Sequence, residues 1–460
     1  MIDSLPNEVD FLIVGGGLAG YCAALEASNF GATVLLIEKQ DKIGGATVLS
    51  GGSFAFAGTP LQIKLGINDS NELLFQDLLR VGAYENDQTL VRLYVDRQME
   101  TFNWFEKLGV TFANVFLASG QSVPRGHSLN AQKVLDIVAM HANSTGRVRT
   151  LLNTSARRLI TSETNGAVIG ALIEHEGKLQ KVFSKKGVLL ATGGFSRNEA
   201  LLNLFAPGQV GAQRMGSPGN TGEGLLMAWQ IGAAFCDVAH IKGTFGNHPS
   251  AGPEDHFLLF PMYAGGIIVN SGAKRFVDES LSYKLLGEAC LKQPDHIGYQ
   301  IFDQSIFKKG QPGIPSMDFN ADLRAGRVVK ALTLKGIADL LGLDSAKLER
   351  TVLEYNEFVA KGHDEAFGRD GLCNHYGSLV KIETGPFYAY ASRSVVLATY
   401  CGLTVDMNMR VKDVYGAVIP KLFAAGGVIG GFHGQGYMTG TANGKASIFG
   451  RIAAQVAVLE

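Results

Sequence analysis

The apolar run DFLIV at 10–14 leads directly into Gly15, Gly17 and Gly20 and then into LAGYCAALEASNFG, an order that restricts the fold more than any other feature of the chain. The run reads as a buried strand, and the Ala, Leu and Cys after it recur at helical spacing. A second apolar run, ATVLLIEK, completes a βαβ unit. Glycine is required where strand passes into helix, because the backbone turns sharply, leaves room for a pyrophosphate and packs the helix closely on the sheet. The helix N-terminus faces that pyrophosphate with free N–H groups and the positive end of its dipole. Glu38, at the end of the second strand, is placed to accept hydrogen bonds from ribose hydroxyls. The unit is therefore expected to bind a dinucleotide through Gly15, Gly17, Leu18, Ala19, Gly20, Glu38 and Lys39.

The rest of the chain points to FAD rather than a nicotinamide nucleotide. EKQDKIGGATVLSGG follows at once and lays Gly44, Gly45, Ala46, Thr47, Ser50, Gly51 and Gly52 along a long, extended cofactor. KGVLLATGGF is a buried strand running into Thr192, Gly193 and Gly194, and it returns the chain to the dinucleotide domain. Near the C-terminus, LFAAGG is a strand ending in Gly426 and Gly427, suited to lie beside a ribityl chain. Asn220 and Thr221 of GNTGEG, with Thr441 and Ala442 of the last glycine-rich loop, complete the expected FAD set.

At 460 residues and 46% hydrophobic content, the chain is long enough for two domains. Its 41 basic and 42 acidic residues nearly cancel and are scattered, which argues against nucleic acid or an anionic membrane surface as partner. The 58 glycines beside 13 prolines imply tight turns and close backbone approaches rather than disorder. The acidic start MIDSLPNEVD has no basic stretch ahead of an apolar run, and no apolar run is long enough to span a membrane, so a cytoplasmic protein is expected. Cys22, Cys236, Cys290, Cys373 and Cys401 lie far apart in no C-x-x-C pair, so no metal site is expected.

Amphipathic helices are expected over 66–145, one behind a Ser70 cap and one ending at Gly109. Alternating strands follow at 149–189. From about 240 to 365 the prolines at 249, 253, 261, 294, 312 and 315 interrupt any long helix, which marks an inserted second domain. The expected division is an FAD-binding domain at 1–240 and 366–460 with a capping domain at 241–365.

These motifs, together with GGIIVNSGAKRFVDE at 265–279 and KLFAAGGVIGGFHG at 421–434, resemble the flavoprotein superfamily of soluble fumarate reductases, succinate dehydrogenase flavoprotein subunits and 3-ketosteroid dehydrogenases. The resemblance covers nearly the whole chain. It implies an α/β fold, a Rossmann-like FAD-binding domain of the glutathione-reductase type with an inserted α+β cap, and an active site between the two. The loop 44–53 holds no histidine, unlike the covalently flavinylated members, so FAD is expected to be noncovalent. Gly427 stands where many relatives carry Glu, removing one flavin hydrogen bond.

The substrate-binding residues depart further. Fumarate reductases end the cap motif G-K-R-F-V-N-E-x-x-x-R with a proton-delivering Arg, and here AKRFVDESLSYK has Tyr283. A second family Arg clamps a carboxylate, and HGQGYMTGTAN has Tyr437 in its place. A histidine pair is replaced by Leu397 and Ala398. A buried dicarboxylate without guanidinium partners carries an uncompensated charge costing several kcal/mol, which argues against fumarate. Phenols suit a neutral carbonyl compound, and the pattern is similar to the Δ4-(5α) ketosteroid dehydrogenases, whose Tyr-x-Ser resembles Tyr437-Met438-Thr439.

The resemblance thus implies a dehydrogenase or ene-reductase acting on a C=C bond conjugated to a carbonyl. Tyr283 or Tyr437 would handle the proton, with Thr439 and the N–H groups near Gly440 polarising the oxygen. A reductase of another unsaturated acid, like fumarate or urocanate reductase, would need Arg214 or Arg393 as carboxylate partner. A separate electron donor or acceptor could serve either, and a subunit that only transfers electrons is a third reading. Tyr400 either packs against the flavin ring or belongs to the core, His433 is a loop residue or touches the flavin, His248 reads as a loop residue, Arg275 and Glu279 read as a structural ion pair, and Cys401 has no nearby base. The segment EDHFLLFPMYAGG is an apolar pocket wall or core.

Overall fold

The computed structural model describes residues 5–252, 255–373 and 376–460. Pro253 of the proline series, Glu254 at the start of the apolar cap segment, and the first four residues of the N-terminal stretch lie outside the described residues.

The strand Phe11–Val14 is buried on every residue because both faces of its sheet are covered, the situation that turns a parallel strand into a continuous apolar run. It pairs in parallel with Val34–Ile37 on one side and Val188–Leu190 on the other. Val148–Leu151 extends the sheet beyond Val34–Ile37, and Val418–Ala424 extends it beyond Val188–Leu190. An antiparallel strand, Arg410–Lys412, closes that last edge.

The helix Leu18–Asn29 joins the first two strands, and the C-terminal helix Thr441–Leu459 packs along it. Their approach leaves no room for a side chain at Gly450, whose Cβ would lie 2.4 Å from the Ala19 carbonyl, and the first helix presses as closely on its own glycine turn, where a Cβ on Gly20 would lie 2.0 Å from the Gly15 carbonyl. Arg451 donates to Glu26 at 3.0 Å across the same buried seam. Segments from both ends of the chain therefore form one layer of one domain.

The expected helices are present. Asn71–Val81 starts where the Ser70 hydroxyl accepts from the Leu73 N–H at 3.1 Å, and Gln88–Lys107 is capped by Asp87.

A second sheet is built around the ten-residue strand Phe387–Val396. Ile297–Asp303, Val328–Ala331 and Thr244–Asn247 pair with it antiparallel, Gln213–Arg214 pairs in parallel, and Ile267–Val269 adds to Ile297–Asp303. The central strand of this sheet lies beyond residue 365 in the chain. This sheet and the helices on it enclose a hydrophobic core separate from that of the first domain. Among the described residues no helix is long and apolar enough to cross a membrane.

Candidate active site

One large cavity, about 480 Å³, runs between the two cores. One end is walled by Gly15, Gly17, Leu18, Ala19, Glu38 and Lys39, and the middle by Gly45, Ala46, Thr47, Ser50 and Gly51. Thr192, Gly193, Gly194, Asn220, Gly426, Gly427 and Ala442 line it as well. Five residues of the expected set stand behind the wall. Gly20 packs its helix against the Gly15 carbonyl, Gly44 and Gly52 take positive φ, Thr221 bonds to Glu223 at 2.7 Å, and Thr441 donates to the Met438 carbonyl at 2.6 Å.

Glu38 already accepts from the Gly16 N–H at 2.8 Å and the Gln40 N–H at 2.9 Å, which fixes its carboxylate and still leaves lone pairs for ribose hydroxyls. Lys39 does not reach into the cavity as an isolated cation: its ammonium pairs with Glu223 at 2.7 Å and ties the GNTGEG turn to the N-terminal unit. The strand Thr154–Thr161 adds Thr154, Ser155, Ala156 and Arg157 beside Glu38. Sequence reasoning missed these four, because an alternating strand carries no sign of which residues face a ligand.

The cavity wall also carries polar atoms that the protein leaves unpaired: Ser53 Oγ, Thr192 Oγ1, Thr399 Oγ1 and His256 Nε2 are buried without partners. An unsatisfied buried polar group costs about 1–3 kcal/mol, so such a row is stable only where a polar ligand completes it. A glycine cradle on a helix N-terminus, a ribose-binding carboxylate and unpaired hydroxyls further along fit FAD.

At the other end the wall is aromatic. Tyr283 opens the helix Tyr283–Leu291 in the cap, Tyr437 sits in the C-terminal glycine-rich loop, and their ring centroids are 5.8 Å apart. Phe260 stacks on Tyr283 at 5.2 Å, and Tyr400 stacks on Tyr437 at 4.5 Å. Thr439 donates to the Tyr283 hydroxyl at 3.1 Å, and the Tyr437 hydroxyl accepts from the Ala442 N–H at 3.3 Å. The structure thus gathers Tyr283, Tyr437 and Thr439 in one place, and adds Tyr400 and Phe260.

Two backbone links hold the walls together. Ser282 Oγ donates to the Tyr437 carbonyl at 3.1 Å and accepts from the Tyr437 N–H at 3.3 Å. The Ser119 hydroxyl accepts from the Tyr283 N–H at 3.3 Å and meets the Tyr263 hydroxyl at 2.9 Å.

Burial is the main influence on titration here. It raises the phenols of Tyr283 and Tyr400 well above their ordinary value, with the neighbouring phenols adding to the shift, and it raises Tyr437 too. All three are therefore neutral hydrogen-bond donors at pH 7. His433, packed on Tyr400 at 4.8 Å, is held well below the usual imidazole range by burial and then by the charges of Lys445 and Lys284. Cys401 is pushed up to about 12 by burial, so its thiol stays protonated.

Arg275 and Glu279 form the expected ion pair, at 2.8 and 2.7 Å, within a buried cap network that also takes in Asp364 and Arg369. Arg214 pairs with Glu199 at 3.1 Å, and neither it nor Arg393 lines the cavity. Arg157 is the only arginine on the cavity wall among the described residues, and it lies at the Glu38 end. Leu397 and Ala398 line the cavity, and His248 bonds to Ser250 away from it. No cluster able to hold a metal ion occurs among the described residues.

A dinucleotide cradle opening onto a buried chamber is the arrangement of an FAD-dependent oxidoreductase acting on carbon–carbon bonds. The chain belongs to the FAD binding domain family, which it matches over residues 10–442. It is 30% identical over 460 residues to Fumarate reductase (cytochrome) of Shewanella frigidimarina, covering 99% of this chain and 78% of that one. It is 29% identical to Vinyl phenol reductase of Lactiplantibacillus plantarum, covering 97% of this chain and 95% of the relative. The solved 3-ketosteroid-Δ4-(5α)-dehydrogenase of Rhodococcus jostii, in complex with 4-androstene-3,17-dione, superposes with a TM-score of 0.80 at 26% identity, over 100% of this chain and 98% of that one.

Proposed function

We propose that the protein moves hydrogen to or from a C=C bond conjugated to a neutral carbonyl group, with a 3-ketosteroid-like enone as the substrate class. One observation carries this reading: Tyr283, Tyr437 and Tyr400 converge at the end of the cavity where, among the described residues, no guanidinium lines the wall. A neutral phenol hydrogen-bonds a ketone oxygen and can pass a proton to carbon, whereas a buried carboxylate has no cationic clamp there. Bound FAD supplies or accepts the hydride. The chain's own residues exclude water with Phe260, Leu397 and Ala398, hold the phenols through Ser282 and Thr439, and deliver a proton from Tyr283 or Tyr437 to the α-carbon.

A separate electron donor or acceptor completes the cycle in this reading. The five cysteines are all unpaired, in keeping with a reducing, cytoplasmic setting. The cap of the reading extends past 365 to include Phe387–Val396.

The fumarate reductase relative favours the second reading, reduction of an unsaturated acid such as fumarate or urocanate. The experiment that separates the two is anaerobic mixing of photoreduced protein with enones, ketosteroids and unsaturated acids, followed by flavin absorbance. Reoxidation by enones is expected. Reoxidation by fumarate or urocanate and by no enone overturns the proposal.

A further inference from the structure

A buried neutral phenol gives up a proton readily only when the phenolate left behind meets a compensating charge. The substrate end has no arginine on its wall, but a cation lies directly behind it. Lys284, next to Tyr283 on the helix Tyr283–Leu291, is only 2% exposed. Its ammonium donates to the Lys242 carbonyl at 2.7 Å and sits 4.6 Å from the centroid of the Tyr400 ring. Among the described residues no carboxylate forms an ion pair with it.

The helix has no freedom to move this side chain outward. A Cβ on Gly287 would lie 2.3 Å from the Gly243 carbonyl, so the helix is pressed against the segment that supplies the Lys242 acceptor. Other titratable groups surround the amine. Tyr400 faces it from the loop after Phe387–Val396, Tyr437 and His433 flank Tyr400 from the C-terminal loop, and Tyr283 precedes it on its own helix. The Lys242 ammonium is engaged elsewhere, with Glu288 at 2.9 Å, and Lys445, on the cavity wall, has its ammonium 3.4 Å from the Ile429 carbonyl.

We propose that Lys284 is a positioning residue that holds a positive charge against the face of Tyr400 and, through the Tyr400–Tyr437 stack, eases the release of the Tyr437 proton to the substrate. The inference rests on the proton-donor reading above. A cation over an aromatic face is attracted by the ring, and more strongly in a desolvated site. That attraction grows when the stacked phenol becomes a phenolate, so the cation favours the state that proton transfer creates. The buried His433 imidazole is neutral, and the cavity-lining Lys445 has its ammonium 3.4 Å from the Ile429 carbonyl and 5.8 Å from the Phe432 ring rather than over one of the phenols.

Burial pushes the Lys284 amine down to about 7. Its charge is therefore present below that pH and lost above it, and reductive turnover falls as pH rises through the same window.

The test compares wild-type, Lys284→Met and Lys284→Arg holoenzymes, reoxidising photoreduced flavin with whichever acceptor serves the wild type, from about pH 5.5 to pH 9. Wild-type rates should decline around pH 7. Lys284→Met should be roughly tenfold or more slower at low pH, with no decline in that window. Lys284→Arg should keep the low-pH rate and hold it to the alkaline end. A methionine variant that retains the decline near pH 7, whatever its rate, overturns the inference. Should that variant lose its flavin, a decline still centred near 7 in the arginine variant overturns it instead. An acceptor panel answering only to carboxylates overturns the substrate assignment, and the same three proteins are then compared with that acceptor.

Discussion

At the residue scale, the site depends on which phenol moves the proton. Tyr283→Phe removes one hydroxyl and keeps the ring that packs between Phe260 and Tyr437. The yellow holoenzyme should survive and turnover should drop by about a hundredfold, the usual contribution of a general acid. Steady-state assays of Tyr283→Phe beside Tyr437→Phe assign the role, and unchanged rates in both would remove phenols from the chemistry. The pair was legible in the sequence because a family motif fixes the register of both positions. Lys284 was not, although it adjoins Tyr283. A lysine in a helix usually reaches water, and only the close packing of Gly287 on Gly243 shows that this one cannot. Tyr400 was undecided for a similar reason, and Thr399 drew no reading at all: a segment between strands has no period that says which way its side chains point.

At the element scale, sequence patterns located what local forces determine. The FLIV strand, the Ser70 cap and the two amphipathic helices are local features, and each lies where its pattern puts it. The end of the cap is not local. Phe387–Val396 pairs in register with Gln213–Arg214, 182 residues earlier in the chain, and nothing within the strand records that pairing. The cap sheet is secured by Glu279, which is fully buried and accepts from Arg275, Arg369 and the Ile268 N–H. Glu279→Gln leaves two guanidinium groups short of a countercharge, and breaking such a buried pair typically costs about 3–5 kcal/mol. Chemical denaturation should show a loss of that order; a loss under about 1 kcal/mol would mean that the network rearranges around glutamine.

At the scale of the whole molecule, the cofactor is a structural member. Several cavity-lining hydroxyls have no partner within the protein, so flavin-free protein carries their cost. Adding FAD to the stripped protein at about a hundred times its dissociation constant should stabilise it by about 2.7 kcal/mol, read as a higher unfolding temperature by calorimetry. An unchanged midpoint would mean that the folded protein does not take up FAD.

The seam between Leu18–Asn29 and Thr441–Leu459 also constrains how the protein is made. The helix that backs the pyrophosphate cradle and the Ala442 wall are synthesised more than 400 residues after the glycine turn. At about 5–20 residues per second that delay is on the order of a minute. Throughout it the glycine turn stands without its covering helix, and the cavity that would hold a flavin is incomplete.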